Sequence, residues 1–199
     1  MADLDDLGYF RREAERRRAH LENSFARLLG LIEHATSLIG TDYFQLPVAD
    51  ADAVYRERVY CYELYHQLRC LWNDFPFSLG GEIDKQGNPH FRGGPYAASI
   101  PDLLIHVPGN MDDNLVIVEA KSAKGLGGTG DDLRKLSWFC DNARYFRGVF
   151  LVYGEAGEAD RLGARIRRAE PNTDFTRVLA LYHRRVGEKA EQLQIPAAV

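Results

Sequence analysis

The chain is poor in cysteine, has no long apolar run and carries little net charge, and each shortage excludes a class of protein. Its three cysteines, Cys61, Cys70 and Cys140, are odd in number, with no C-x-x-C pair and no histidine at zinc-ligand spacing. That excludes a disulfide scaffold and a zinc ribbon, and the residues read as buried free thiols. No stretch of eighteen apolar residues occurs that could span a bilayer. The opening MADLDDLGYFRREAERRRAH has acids where a secretory signal has a basic start and an apolar centre, so a cytoplasmic protein is expected. A net charge of -4 argues against coating nucleic acid through charge alone. It leaves room for a local basic face, which Arg11, Arg12, Arg16, Arg17 and Arg18, or Arg161, Arg165, Arg167 and Arg168, could supply. Such runs on helices also read simply as solvated faces.

The 199 residues suffice for one well-buried domain, and no internal repeat or low-complexity segment interrupts them. Residues 10 to 39 read as a helix, with Leu28, Leu31, Ile32, Ala35 and Leu38 or Ile39 at spacings of three and four after a charged first half. Pro47 breaks the pattern, and Asp52 is placed to cap a helix from Ala53 to Trp72. The main stripe of that helix is Val54, Cys61, Leu64, Leu68 and Trp72. Tyr55, Val59, Tyr62 and His66 form a second face beside Glu63, implying burial between layers. A short strand over residues 77 to 85 and a Gly/Pro-rich excursion over 86 to 99 follow, the latter a natural place for substrate contacts.

Strands are then expected at 101 to 107, around Leu115 to Val118, at 148 to 153 and at 177 to 183. Helices are expected at 131 to 142 and 158 to 169, and the tail after Val186 frays or forms a short helix. The alternation predicts an α/β fold around a mixed sheet. Its organisation would be an N-terminal helical extension and linker over 1–52, a core domain over 53–186 and a tail over 187–199.

The apolar run Leu115 to Val118 ends in Glu119-Ala120-Lys121. A strand alternates its faces, so Glu119 and Lys121 project to one side and Ala120 to the other. Charges at such a strand end are costly to bury unless they are paired or bound to a metal. Asp102 begins the preceding strand seventeen positions earlier. If the two strands are neighbours, roughly 4.8 Å apart, Asp102 and Glu119 can share one cation. Mg²⁺, which prefers a few carboxylate oxygens plus waters, would reverse their repulsion. The chemistry this suggests is metal-assisted hydrolysis of a phosphodiester. The metal polarises a phosphoryl oxygen and acidifies a water, while Lys121 positions that water or neutralises developing charge. The same three residues also read as a structural ion-pair network.

Pro101-Asp102, followed seventeen positions on by Glu119-Ala120-Lys121 at the end of an apolar strand, resembles the PD-(D/E)xK nuclease superfamily, which has the restriction-endonuclease-like fold. The resemblance covers residues 53 to 155. Glu82, in Gly81-Glu82-Ile83-Asp84-Lys85, stands where members place an acid on the first core strand, and Glu63 where others place one in the preceding helix. His106 ends the PDLLIH segment as in a subgroup, and Asp132-Leu133-Arg134-Lys135-Leu136 is similar to a D-x-x-K-L motif after the E-x-K strand. The resemblance implies that Asp102, Glu119 and the Ala120 carbonyl bind Mg²⁺, with Mn²⁺ as a substitute. Glu82 or Glu63 would complete the acidic site, with no choice between them from periodicity, and Lys121 would be the catalytic base or charge stabiliser. His106, Lys135 and Lys124 are candidate substrate contacts. The activity implied is an endonuclease more than an exonuclease, acting on DNA rather than RNA, leaving a 5′-phosphate and serving in defence or DNA repair. The N-terminal helix would contact DNA or form a homodimer. His106 also reads as a satisfied strand-end histidine, and Asp132 and Lys135 as helix-surface pairs.

Gly125, Gly127 and Gly130 fit G-x-G-x-x-G between a strand and a helix, the context of a dinucleotide-binding turn, and Glu155 could serve as its ribose acid. Three residues separate the charged strand end from the first glycine, and Asp131 and Asp132 place negative charge where a pyrophosphate would bind. A flexible loop beside the nuclease site is the preferred reading. A non-catalytic nucleic-acid-binding or assembly module on the same fold is the remaining alternative.

Overall fold

A computed structural model describes residues 4–82, 94–96, 99–110 and 112–197, with side chains from residue 8 onward. The first helix, α1 (Leu4–Ser37), begins earlier than the apolar spacing suggests, because the charged first half is itself helical. Its apolar residues Leu21, Phe25, Leu28, Ile32 and Ala35 recur every three or four positions and are all buried. A one-turn helix, α2 (Thr41–Phe44), leads into a small hairpin of β1 (Leu46–Val48) and β2 (Ala51–Val54). Asp52 therefore lies in a strand and does not cap a helix. Asp50 takes a φ of 57° at the turn, a conformation Asp tolerates, and Gln45 Nε2 donates to the Ala53 carbonyl at 3.0 Å.

The next helix, α3 (Glu57–Leu71), consequently starts four residues later than expected, after an extended Arg56. It buries Tyr60, Cys61, Leu64 and Leu68. The expected second buried face is corrected, since Tyr62 is 57% exposed and His66 is exposed. Cys61 and Cys140 are buried free thiols, but Cys70 is exposed.

Six strands then form a mixed sheet in chain order: β3 (Ser78–Gly81), β4 (Leu103–His106), β5 (Asn114–Ser122), β6 (Arg147–Tyr153), β7 (Val178–His183) and β8 (Glu191–Gln192). The first three are antiparallel to one another, β5, β6 and β7 are parallel, and β8 returns antiparallel to β7. The parallel strands are connected by α4 (Thr129–Asn142) and α5 (Ala159–Ala169). The protein is thus α/β with a mixed six-stranded sheet and helices. Ile83 to Lys85 and most of the expected loop 86–99 lie outside the described residues.

Strand alternation assigns each side chain to one of two cores. Val116, Val118, Ala120, Val149, Leu151 and Tyr153 pack with α1 and α3. Ile117, Phe150, Val152, Val178 and Ala180 pack with α4 and α5. The second half of α1 is part of the first core, and the C-terminal segment is tied to it as well. Ala190 is buried and its N–H donates to Thr36 Oγ1 at 2.8 Å. The segment expected to fray or to form a helix instead supplies β8. Beneath the C-terminal ends of β6 and β7, Tyr60 stacks on Tyr153 at 3.9 Å, and its hydroxyl lies 2.9 Å from Nδ1 of the fully buried His183.

Candidate active site

The register of β4 against β5 pairs Leu103 with Val118 and Leu104 with Ile117, which brings Asp102 beside the end of β5. There the Ala120 N–H donates to Asp102 Oδ2 at 2.7 Å, continuing the ladder through a side chain. Glu119 and Lys121 share the face of Ile117, as alternation requires, and meet α4. Two rungs cross between strand and helix. Lys121 Nζ lies 3.1 Å from Asp132 Oδ2, and Lys135 Nζ lies 2.7 Å from Glu119 Oε2. Residues two apart on a strand and three apart on a helix stand at comparable spacings, so acid meets base on both rungs. Asp132 and Lys135 are therefore not a helix-surface pair: their side chains are 12% and 14% exposed.

Glu57, at the start of α3, is the site acid that sequence reasoning missed. Its Oε1 accepts from the Ser122 N–H at 3.1 Å and the Ser122 hydroxyl at 3.3 Å, while Oε2 lies 3.6 Å from Lys121 Nζ. A signal was present, since Glu57 precedes Cys61, Leu64 and Leu68 at spacings of four, three and four. An acid on the buried stripe of a helix asks for a partner. Glu63 stands about 120° away round the helix. It accepts from Gln67 at 2.7 Å, and no contact among the described residues joins it to Asp102 or Glu119. Between the two candidate acids, the fold brings Glu82 alone to the neighbourhood of Asp102. The Glu82 N–H donates to the Asp102 carbonyl at 3.2 Å, but its side chain turns to Arg58 at 2.9 Å.

His106 occupies the opposite end of β4, on the rung of Ser78 and Asn114, four residues or roughly 13 Å from Asp102. It is not part of this cluster, because strand direction carries it away. Lys124 is exposed, with its ammonium 5.7 Å from the Tyr55 ring centroid at the edge of the site. A cleft of about 370 Å³ has Tyr62, Tyr65, Glu82 and Asp102 among its walls.

The electrostatics are those of acids held out of water. Burial pushes Glu119 up to about 8, with Asp102 adding to the effect and Lys135 opposing it. Burial also raises Asp102 against the Ala120 N–H, and raises Asp132 against Lys121. For Lys121 burial works against the ammonium, but Asp132, Glu57 and Asp102 outweigh it and the net shift is upward. Lys121 thus stands among three acids that favour its ammonium form.

Glu119 Oε1 is buried without a hydrogen-bond partner. It and the second oxygen of Asp102 are hard donors that suit Mg²⁺, which binds through one or two carboxylates plus water and substrate phosphate. Among the described residues no group of three or more acids, histidines or cysteines gathers at metal-ligand spacing. The described side chains thus supply two carboxylates at this place and not a complete ligand set.

The glycines after β5 do not form a loose loop. Leu126–Gly128 is a 3₁₀ turn, and Gly130 lies in the first turn of α4. A Cβ on Gly125 would come within 2.7 Å of Glu57 Oε1 and 2.9 Å of Ser122 Oγ, and one on Gly130 within 2.6 Å of the Ala169 carbonyl. Packing accounts for both positions, and the carboxylate beside Gly125 disfavours a pyrophosphate there. No helix among the described residues is long and apolar enough to cross a membrane. Compared with family models, with curated proteins and with solved structures, the chain matches none.

Proposed function

We propose that the protein is a metal-dependent nuclease with a restriction-endonuclease-like core, hydrolysing phosphodiester bonds in nucleic acid, DNA before RNA. The observation that carries this reading is the carboxylate pair at the adjoining ends of β4 and β5, half-buried Asp102 and buried Glu119, with one Glu119 oxygen unpartnered and Lys121 two residues further along the same face. The order helix, three antiparallel strands, helix and parallel strand over α3 to β6 supports it. Asp102, Glu119 and the Ala120 carbonyl would hold Mg²⁺ or Mn²⁺, which supplies Lewis acidity toward a phosphoryl oxygen when bound.

The chain's own residues do the rest. The Ala120 N–H fixes one Asp102 oxygen and so aims the other. Glu57 and Asp132 hold the Lys121 ammonium at the strand end, where it would neutralise the negative charge that develops on the phosphoryl oxygens as water attacks phosphorus and the P–O bond breaks, the proton lost by the water passing through solvent to the leaving oxygen. Lys135 occupies Glu119 Oε2 and limits the charge that this buried acid must bear alone.

A second reading, a nucleic-acid-binding or assembly module without turnover, is favoured by two observations. Lys135 already neutralises Glu119, and Glu82 is paired with Arg58. Incubating the purified protein with single- and double-stranded DNA and RNA in Mg²⁺ or Mn²⁺, beside Lys121→Ala, separates the readings. Cleavage by the wild type and its loss in the variant is the expected result. Equal cleavage by both proteins would assign it to a contaminant, and binding without cleavage would establish the second reading.

A further inference from the structure

At the other end of β5 an open cleft of about 700 Å³ separates α1 from the edge of the sheet, and five arginines line it: Arg17 and Arg18 from α1, Arg144 and Arg147 from the entry to β6, and Arg177 before β7. Four of them rest on surface acids: Arg17 on Asp113 at 3.5 Å, Arg18 on Glu22 at 3.0 Å, Arg144 on Asp112 and Arg177 on Asp141. Those side chains are 39% to 75% exposed, so the pairs are exchangeable at little cost.

Arg147 differs. It stacks on Phe146 at 3.9 Å and approaches Phe25 at 5.9 Å, its described hydrogen bond goes to the Phe146 carbonyl, and no carboxylate among the described residues pairs with it. Burial lowers its pKa, Cys140 and Glu22 oppose the shift, and Arg177 and Arg18 add to it. A guanidinium disfavoured by its surroundings gains most from an incoming anion. The cleft is open and five guanidinium groups line it, which suits more than one phosphate better than one enclosed small anion.

We propose that this arginine-lined cleft is a second, non-catalytic binding site for the phosphate backbone of a nucleic-acid strand. The proposal rests on the nuclease reading for its ligand class, but not on turnover. The cleft and the candidate active site lie at opposite ends of β5, with Asn114 and Glu119 roughly 17 Å apart along the strand.

The test is fluorescence anisotropy with a short labelled DNA duplex and its single strand, with chelator present so that no cleavage intervenes. The full chain is compared with Arg17→Glu/Arg144→Glu, both at exposed positions, and with Arg147→Gln, circular dichroism reporting the fold of each. The expected result is binding weakened at least about tenfold in the double variant, with a salt slope lower by about two. Binding within twofold of wild type in the double variant would overturn the proposal even if Arg147→Gln fails to fold. Poly-glutamate competing as well as DNA would overturn the assignment to nucleic acid. If wild type cleaves DNA while these variants bind normally, the cleft proposal falls and the nuclease reading stands. If they lose binding and wild type never cleaves, the reverse holds.

Discussion

At its C-terminal end β5 carries Glu119 and Lys121 into a place shielded from water. At its N-terminal end the surrounding arginines are exposed or half-exposed, each but Arg147 beside an acid that is itself exposed or half-exposed. Buried charges are costly, so the first cluster is interlocked through two crossed ion pairs and an acid drawn from α3. Exposed charges cost little and contribute little, so the second group is free to exchange partners. One strand thus separates a region where charge is buried and interlocked from one where it is exposed and exchangeable. Substitutions should have opposite consequences at the two ends.

The largest expected effect falls at the buried end. If the proposed nuclease reading holds, Lys121→Ala removes the cation that would face the developing phosphoryl charge, and single-turnover cleavage in saturating Mg²⁺ should fall by about 10²- to 10³-fold. A loss below threefold would show that Lys121 serves the ion-pair network alone.

Stability should respond in the other direction. Glu119 is pushed up to about 8 by burial, above the ordinary carboxylate value it regains on unfolding. Between those two values the folded state holds a proton that the unfolded state has released, so stability falls as pH rises through the window and levels off above it. For this one group the slope is at most about 1.4 kcal/mol per pH unit. Urea denaturation of metal-free protein from pH 4.5 to 8.5 should show the decline, and Glu119→Gln should remove much of it. Asp102, raised by the same burial, keeps a residue of the slope. An unchanged slope in the variant would mean that Glu119 is better solvated than its burial indicates.

A third test lies just beyond β5 and asks whether the glycines serve a ligand or the packing. Gly130→Ala drives a methyl group into the Ala169 carbonyl and should cost about 1–3 kcal/mol. Gly127, with nothing within 4 Å of its Cβ position, should accept Ala at no cost or gain up to about 1 kcal/mol. Thermal melts of the two variants measure the difference. Equal tolerance would remove the packing explanation for the glycine pattern.

How much of this was legible in the sequence depended on whether the relevant signal was local. The apolar run of β5 and its charged end announced themselves, and alternation alone put Glu119 and Lys121 on one face. The pairing of β4 with β5 followed from their succession. The hairpin Leu46–Val54 is hidden because its turn depends on Asp50 adopting a positive φ, and the expected helix therefore starts at Ala53, four residues ahead of the actual start at Glu57. Once the helix was begun too early, the stripe could be drawn from Val54 to Cys61 without the acid between them. The partnership of Lys135 with Glu119 was illegible for another reason. It depends on how α4 is placed over the sheet, and no spacing within the helix encodes that. β8 pairs with β7 by only two residues, too few for an alternation pattern.

The smallest expected effect belongs to the open end. Arg144 and Asp112 form an ion pair with side chains 69% and 54% exposed. Water and salt already screen both partners, so Arg144→Gln exchanges one solvated polar group for another and should change unfolding stability by less than about 1 kcal/mol. Arg144 does adopt a φ of 56°, and Gln retains the same backbone requirement, so the substitution adds no new conformational cost there. Paired melts at low and high salt measure it. A loss well above 1 kcal/mol, or one that salt does not diminish, would mean that the arginines of this cleft brace α1 against the sheet. Charge would then be structural at both ends of the strand.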